Sequence, residues 1–254
     1  LFGLKVIILL ESLELGGAER QAVILAHVLQ KNHNANVEVW GLSGQMPEST
    51  QKNRLIPFCE ELGVTWRNFE KAIPSNWLEW SDWLPKFEKI LANAKPDVLL
   101  PYYSTNITAG MLWRKVGAKT CIWGQRDEGR YRPPFFIEAL AVANTPWFIS
   151  NSKEGLEFLQ VTLKIDDKRV TQIRNGTLLS SPVDNRVDWR IRLGVDESQL
   201  LVTMVANLHK FKDHLTLIKA WSLVVRSNCN SNRKPILALA GYLYDTADEL
   251  KALT

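Results

Sequence analysis

Short apolar runs alternate with segments of helical period along most of the chain. Lys5–Leu10 is a continuous apolar run that predicts a buried strand, and Glu19–Gln30 carries Val23, Leu25, Ala26, Val28 and Leu29 at helical spacing. Val37–Trp40 predicts a second strand, Leu55–Leu62 a helix closed by Gly63, and Val64–Trp66 a short strand. Over Asn76–Ala94, Trp77, Trp80, Leu84, Phe87, Ile90 and Leu91 recur at three- and four-residue steps, which predicts one apolar helix face. Strands at Asp97–Leu100, Thr120–Trp123, Trp147–Ser150 and Val170–Ile173 then alternate with helices at Thr105–Val116, Pro134–Ala143 and Lys153–Val161. Such alternation is the signature of βαβ units and a parallel sheet, so the chain is expected to be α/β.

The pattern breaks after Thr177. Residues from Leu178 to Asp188 are mostly polar and show no clear period. We therefore expect a first domain over 1–177, a linker over 178–190 and the start of a second domain over 191–254. That second part predicts strand Leu200–Val205, helix Asp213–Val225, strand Ile236–Ala240, a turn at Gly241 and helix Thr246–Leu253. Two strands and two helices cannot cover both faces of a parallel sheet, so this domain is expected to be cut short.

With 46% hydrophobic and 23% charged residues, the composition excludes disordered, collagenous and coiled-coil chains. The net charge of +4, from 31 Lys+Arg against 27 Asp+Glu, is mild and dispersed. It does not call for nucleic acid, and it leaves peripheral contact with an anionic membrane open. Cys59, Cys121 and Cys229 are scattered, form no CxxC pair, and read as reduced thiols of a cytoplasmic protein. The apolar start meets Glu11 at once and has no basic region before it, unlike a signal peptide, and no run reaches the ~18 residues of a membrane helix. Most of the ten tryptophans fall on predicted helix faces or strands and are expected to pack in the core.

Three segments could carry chemistry. Gly16-Gly17-Ala18-Glu19-Arg20 follows the first strand and opens a helix, where paired glycines and free N–H groups suit an anion or form a plain tight turn. G-x-G-x-x-G is absent, and the second strand ends at Trp40-Gly41 without a ribose-binding acid. Ala206-Asn207-Leu208-His209-Lys210-Phe211-Lys212-Asp213-His214 joins a strand to a helix that Asp213 is placed to cap. There Lys212 could hold a diphosphate together with the helix N–H groups, or simply be solvated. Trp123-Gly124-Gln125-Arg126-Asp127-Glu128-Gly129-Arg130 follows a strand, at the end where α/β folds place ligand contacts, and Arg126 suits a phosphate or carboxylate. Histidine and cysteine spacings suit no metal, Asp-x-Asp is absent, and so is the G-x-S-x-G nucleophile elbow.

Taken in order, these pieces resemble a GT-B glycosyltransferase of the large retaining family 4. The resemblance rests on Gly16-Gly17-Ala18-Glu19-Arg20, Ile149-Ser150-Asn151-Ser152, Ile173-Arg174-Asn175-Gly176-Thr177, and Val205-Ala206-Asn207-Leu208 with Lys212-Asp213-His214-Leu215-Thr216-Leu217-Ile218-Lys219-Ala220. It spans essentially the whole chain and implies two Rossmann-like domains, the second incomplete. It further implies a UDP- or GDP-sugar donor bound mainly by the second domain, and a lipid-linked or oligosaccharide acceptor bound mainly by the first. Lys212 would be the catalytic cation, Gly16, Gly17, Asn207 and Lys212 the donor-phosphate contacts, and Arg126 and Asn175 the acceptor or sugar contacts. No metal and no separate cofactor are expected. The chain departs from the family in having Ala206-Asn207-Leu208 for Gly-Arg-Leu, and Gln125-Arg126 where a histidine is common. The family's later acidic motif would lie beyond Thr254, so these 254 residues are expected not to turn over substrate alone.

Two rivals belong beside this reading. A nucleotide-sugar 2-epimerase shares the architecture and would act without an acceptor. A non-catalytic module binding a nucleotide or a partner protein is the other, since fold does not fix function. A nicotinamide oxidoreductase ranks last because its fingerprint is missing.

Overall fold

The computed structural model describes residues 3–42, 54–69, 77–129, 135–179, 186–227, 234–243 and 246–252. The chain divides into two compact units, Leu1–Leu179 and Ser180–Thr254.

The first unit is built on a seven-stranded sheet in the order β3-β2-β1-β4-β5-β6-β7, with every pair parallel. Its strands are β1 (Lys5–Leu10), β2 (Asn36–Gly41), β3 (Thr65–Asn68), β4 (Val98–Pro101), β5 (Thr120–Gln125), β6 (Trp147–Ser150) and β7 (Val170–Gln172). The connecting helices are α1 (Gly17–His33), α2 (Leu55–Glu61), α3 (Trp77–Ala94), α4 (Thr105–Leu112), α5 (Phe135–Asn144) and α6 (Lys153–Glu157). β1 is central and apolar throughout because both its faces are covered. Ile8 and Leu10 pack with Ala22, Val23 and Ala26 of α1, while Ile7 and Leu9 pack with Trp40, Phe87, Leu91 and Leu112. The strand order reverses direction at β1, so the β1 and β4 ends flank the topological switch point where open α/β sheets bind ligands.

Glu38 is the buried acid of this sheet. Lys5 Nζ lies 2.8 Å away, Arg67 Nε 3.2 Å away, and Trp40 Nε1 donates to it at 2.8 Å. Burial pushes its carboxyl up, but these hydrogen bonds and charges outweigh burial and hold it below its ordinary value. Cys59 and Cys121 are buried and free; burial raises the Cys59 thiol to about 11 and the Cys121 thiol further. Such thiols are inert packing groups. Cys229 lies outside the described residues.

In the second unit β8 (Leu201–Val205) pairs in parallel with β9 (Ile236–Ala240), with helices α7 (Arg186–Arg192), α8 (His214–Ser227) and α9 (Ala247–Ala252). α7 begins within the segment expected as a linker over 178–190. The Arg190 guanidinium anchors this helix by donating to the carbonyls of Asp196 at 2.9 Å and Gln199 at 3.0 Å, and Val195 is buried beneath the turn that follows. Backbone anchoring of this kind leaves no apolar period to read.

Two expectations change. Trp40, Trp113 and Trp123 are core residues, but Trp147 opens β6 with half of its surface exposed and Trp189 on α7 is equally open. The helix expected over Lys153–Val161 ends as an α-helix at Glu157 and widens into a π turn over Phe158–Thr162. Among the described residues no helix is long and apolar enough to cross a membrane.

Candidate functional site

At the carboxyl edge of the first unit, four strand ends converge. β1 runs into Glu11, whose Oε1 accepts the Ser104 N–H at 2.9 Å and so links the two sides of the switch point. Gly16 is the N-cap of α1 and offers no side chain to its N–H groups. Glu19, one turn into the helix, folds its carboxylate back over Gly16, where any Cβ would collide with it. Gly17 is open, with no atom within 4 Å of a Cβ built there. Burial raises the Glu19 carboxyl above its usual value; a hydrogen bond to its own N–H opposes this, Glu11 and Glu14 reinforce it, and the Arg126 charge works against it.

Across the switch point, β4 is followed by Tyr102-Tyr103. Tyr102 donates its N–H to the Leu9 carbonyl at 2.9 Å, and its side chain is fully buried. The Thr105 hydroxyl locks this corner against the carbonyls of Leu9 at 2.9 Å and Tyr102 at 2.7 Å. Tyr103 has φ of 56°, a left-handed conformation that a bulky side chain rarely adopts. Burial pushes its phenol upward, and the carboxylates of Glu19 and Asp127 add to that.

Arg126 follows β5. Its Cζ stands 3.8 Å from the centre of the Tyr102 ring, and its Nη1 donates to Asn175 Oδ1 at 3.2 Å. Two locks position it. Gly124 lies against the Tyr102 ring, with no room for a Cβ, and the Asn106 amide pairs with both backbone groups of Gly124. Gln125 Nε2 donates to Asp127 Oδ1 at 2.8 Å, and the same oxygen accepts the Gly129 N–H. Asn175 is held in turn, since the Gln21 amide on α1 bonds the N–H and carbonyl of neighbouring Gly176 at 2.9 and 2.8 Å. β6 leads into Asn151, and the Ser152 hydroxyl caps α6 by accepting the Gly155 N–H at 3.0 Å.

The structure therefore brings Arg126, Asn175 and the Gly16-Gly17 turn to one edge of one sheet. Sequence reasoning missed Tyr102 and Tyr103, whose signal is only an aromatic pair at a strand end, and it quoted Glu19 and Asn151 without giving them a role.

In the second unit the residues before α8 form a 3₁₀ turn, Lys210–Lys212. Asp213 caps α8, its Oδ1 accepting the Thr216 N–H at 3.3 Å from a left-handed backbone with φ of 51°. Lys212 is exposed at this helix start and pairs with no acid among the described residues. Lys210 instead lies 5.2 Å from the centre of the Phe211 ring. Asn207 Oδ1 is already used, accepting the Tyr242 N–H at 3.2 Å and tying the loop after β8 to the loop after β9. His214 is buried, with neither ring nitrogen hydrogen-bonded among the described residues. No three His, Cys, Asp or Glu side chains converge as a metal-ligand set among the described residues.

No family model matches the chain, and no curated protein sequence matches it. Solved structures do. A glycosyltransferase from Rickettsia africae superposes with a TM-score of 0.72 at 13% identity, over 99% of this chain and 64% of its own length. Anabaena HepE, solved with UDP and glucose, gives 0.70 at 15% identity over 98% of this chain and 64% of its own. UDP-GlcNAc 2-epimerase from Methanocaldococcus jannaschii gives 0.55 at 13% identity over 99% and 68%. The chain thus spans about two thirds of the length of these proteins. The fold is α/β, Rossmann-like, of the GT-B architecture.

Proposed function

We propose that the chain belongs to a retaining, nucleotide-sugar-dependent glycosyltransferase of family 4. It moves a hexose from a UDP- or GDP-sugar to a lipid-linked or oligosaccharide acceptor, in cell-surface polysaccharide or glycolipid synthesis at the cytoplasmic side of the membrane. The observation that carries this reading is the convergence of Arg126, Asn175 and the Gly16-Gly17 turn at the switch point of a seven-stranded parallel sheet.

In this reading Lys212 and the first N–H groups of α8 hold the donor diphosphate. As the bond from the anomeric carbon to phosphate oxygen breaks, its electron pair stays on the phosphate, and Lys212 stabilises the charge that develops there. Asn207 contributes through its amide nitrogen, since its oxygen is occupied by Tyr242. Gly17 leaves open space near the start of α1, and Arg126 and Asn175 meet hydroxyls of the acceptor or the sugar. No step needs a metal ion.

Titration of UDP and of GDP into the chain tests the reading. One of them is expected to bind, with affinity lost in Lys212→Ala; binding of neither overturns it. A 2-epimerase is the second reading, favoured by Glu19, whose raised carboxyl suits a group that moves a proton. Conversion of UDP-GlcNAc to its C2 epimer without any acceptor would decide for the epimerase.

A further inference from the structure

The charged groups at the switch point do not balance. Glu11, Glu14 and Arg126 act on Glu19, while Glu19, Glu11, Asp127 and Arg126 act on Tyr103. Among the described residues, the groups acting on this pair are thus four carboxylates (Glu11, Glu14, Glu19 and Asp127) and the guanidinium of Arg126. That guanidinium is partly committed, stacked on Tyr102 and bonded to Asn175. Two polar atoms here are buried and have no hydrogen-bond partner among the described residues: Arg126 Nε and Asn151 Oδ1.

These groups ask for a ligand that both donates and accepts. A phosphate or carboxylate would gain one guanidinium and face four carboxylates. A hydroxyl donates to a carboxylate or to Asn151 Oδ1, and accepts from the Arg126 Nε–H. Gly16 serves the same arrangement, because only glycine there leaves room for the Glu19 carboxylate. The left-handed backbone at Tyr103 is strain of the kind that clusters at ligand sites.

We propose that this edge of the first unit takes the uncharged, hydroxyl-rich ring of a sugar, and that Glu19 is the specificity-determining residue that excludes anionic sugars. The proposal rests on the nucleotide-sugar reading and names the class of ring that site accepts. The donor diphosphate is no exception, since it is assigned to Lys212 in the second unit.

The test is calorimetric titration of the chain with methyl α-D-glucopyranoside, D-glucuronate and D-glucose 6-phosphate. The wild type is expected to prefer the glucoside over both anions by roughly tenfold, the effect of one net repelling charge near a protein surface. Glu19→Gln is expected to raise affinity for both anions about tenfold, so that the preference for the glucoside over them is lost. Glu19→Asp keeps the charge and is expected to keep the exclusion, and Arg126→Gln to weaken the glucoside. A wild type that prefers an anion, a folded Glu19→Gln that leaves anion affinity unchanged, or a wild type that binds no glucoside overturns the proposal. UDP titrated in parallel separates the two readings. Failure of UDP with glucoside selectivity intact overturns the nucleotide-sugar reading; UDP binding with glucuronate preferred overturns this inference alone.

Discussion

The side-chain amide of Asn106 makes to Gly124 both hydrogen bonds that a neighbouring strand residue would make. Its Nδ2 donates to the Gly124 carbonyl at 3.3 Å, and its Oδ1 accepts the Gly124 N–H at 3.1 Å. β4 and β5 pair through Leu99 and Cys121 and meet again at Tyr102 and Gly124, so Asn106 completes the pairing just before Arg126 leaves the sheet. At 2% exposure it lies out of reach of bulk water. Asn106→Leu strands both backbone groups of Gly124 in the core, and is expected to cost about 2–4 kcal/mol. Urea denaturation checks it: a lower midpoint at unchanged slope is the expected result, and an unchanged midpoint contradicts the role.

Gly124→Ala tests the next link. Its Cβ would sit 2.6 Å from Tyr102 Cε1 and 2.8 Å from the Pro101 carbonyl oxygen, both in the packed interior. Overpacking of this sort costs about 1–3 kcal/mol. The displaced Tyr102 ring also carries the Arg126 guanidinium stacked on it. Glucoside affinity is therefore expected to fall even at temperatures where the variant is fully folded. Retained affinity in a destabilised variant would separate Arg126 from Tyr102.

Glu19 links the site to stability through pH. Burial, with Glu11 and Glu14, raises its carboxyl in the folded chain. A carboxyl raised on folding adds stability below its unfolded pKa, and that contribution is lost as pH rises through the folded value. At neutral pH the ionised group is thus a liability, as functional groups often are. Glu19→Gln is expected to melt higher than wild type near pH 7.5, by roughly 2 °C, and to lose that advantage near pH 4. Melting curves at the two pH values decide it; a lower melting temperature at pH 7.5 would make the carboxylate a stabilising helix cap.

How much of this can be read from sequence depends on how local the cause is. β6 and β9 match expectation to the residue, and so does β1, whose run is buried along nearly its whole length and leaves little doubt about its ends. α6 does not, since the Phe158 ring that begins its π turn packs over distant Gly129. α7 is held by one arginine on backbone carbonyls and has no period to detect. Arg126 and Asn175 are legible as polar residues at strand ends. Their hydrogen bond, the Tyr102 ring beneath and the carboxylate on Gly16 require the register of strands far apart in sequence. Asn207 reads as a ligand residue, yet its oxygen is spent on Tyr242.

The two units differ in how much they bury. The first holds three apolar clusters on a seven-stranded sheet; the second, among its described residues, gathers Leu208, Ala247 and Leu250 about a two-stranded one. Val202 and Val205 of β8 remain exposed. Amides with few buried apolar neighbours open at low free energy. Hydrogen exchange is expected to protect β1 and β4 longer than β8 and β9 by at least about tenfold. Equal protection in the two sheets would contradict this.

Lys212 and Lys210 share one turn but not one environment. Lys210 lies over the Phe211 ring, which stacks on His209 at 4.8 Å between centroids. Lys212 is exposed where α8 begins, beside N–H groups whose dipole favours an anion, and the Asp213 carboxylate occupies only the Thr216 N–H. If a diphosphate binds at this helix start, its partner is Lys212. Losing one charge-assisted hydrogen bond is worth about 1.5–3 kcal/mol, so Lys212→Ala is expected to weaken UDP binding by roughly 10- to 100-fold. Lys210, over the Phe211 ring, is not assigned to the diphosphate, and Lys210→Ala is expected to change UDP binding less than about threefold. Asn207 offers no second cation to share the phosphate with Lys212. Titration of UDP into the two alanine variants at one ionic strength measures both effects, and the difference should shrink as salt is raised. Equal losses, or a larger loss for Lys210→Ala, would place the phosphate on the other face of the turn.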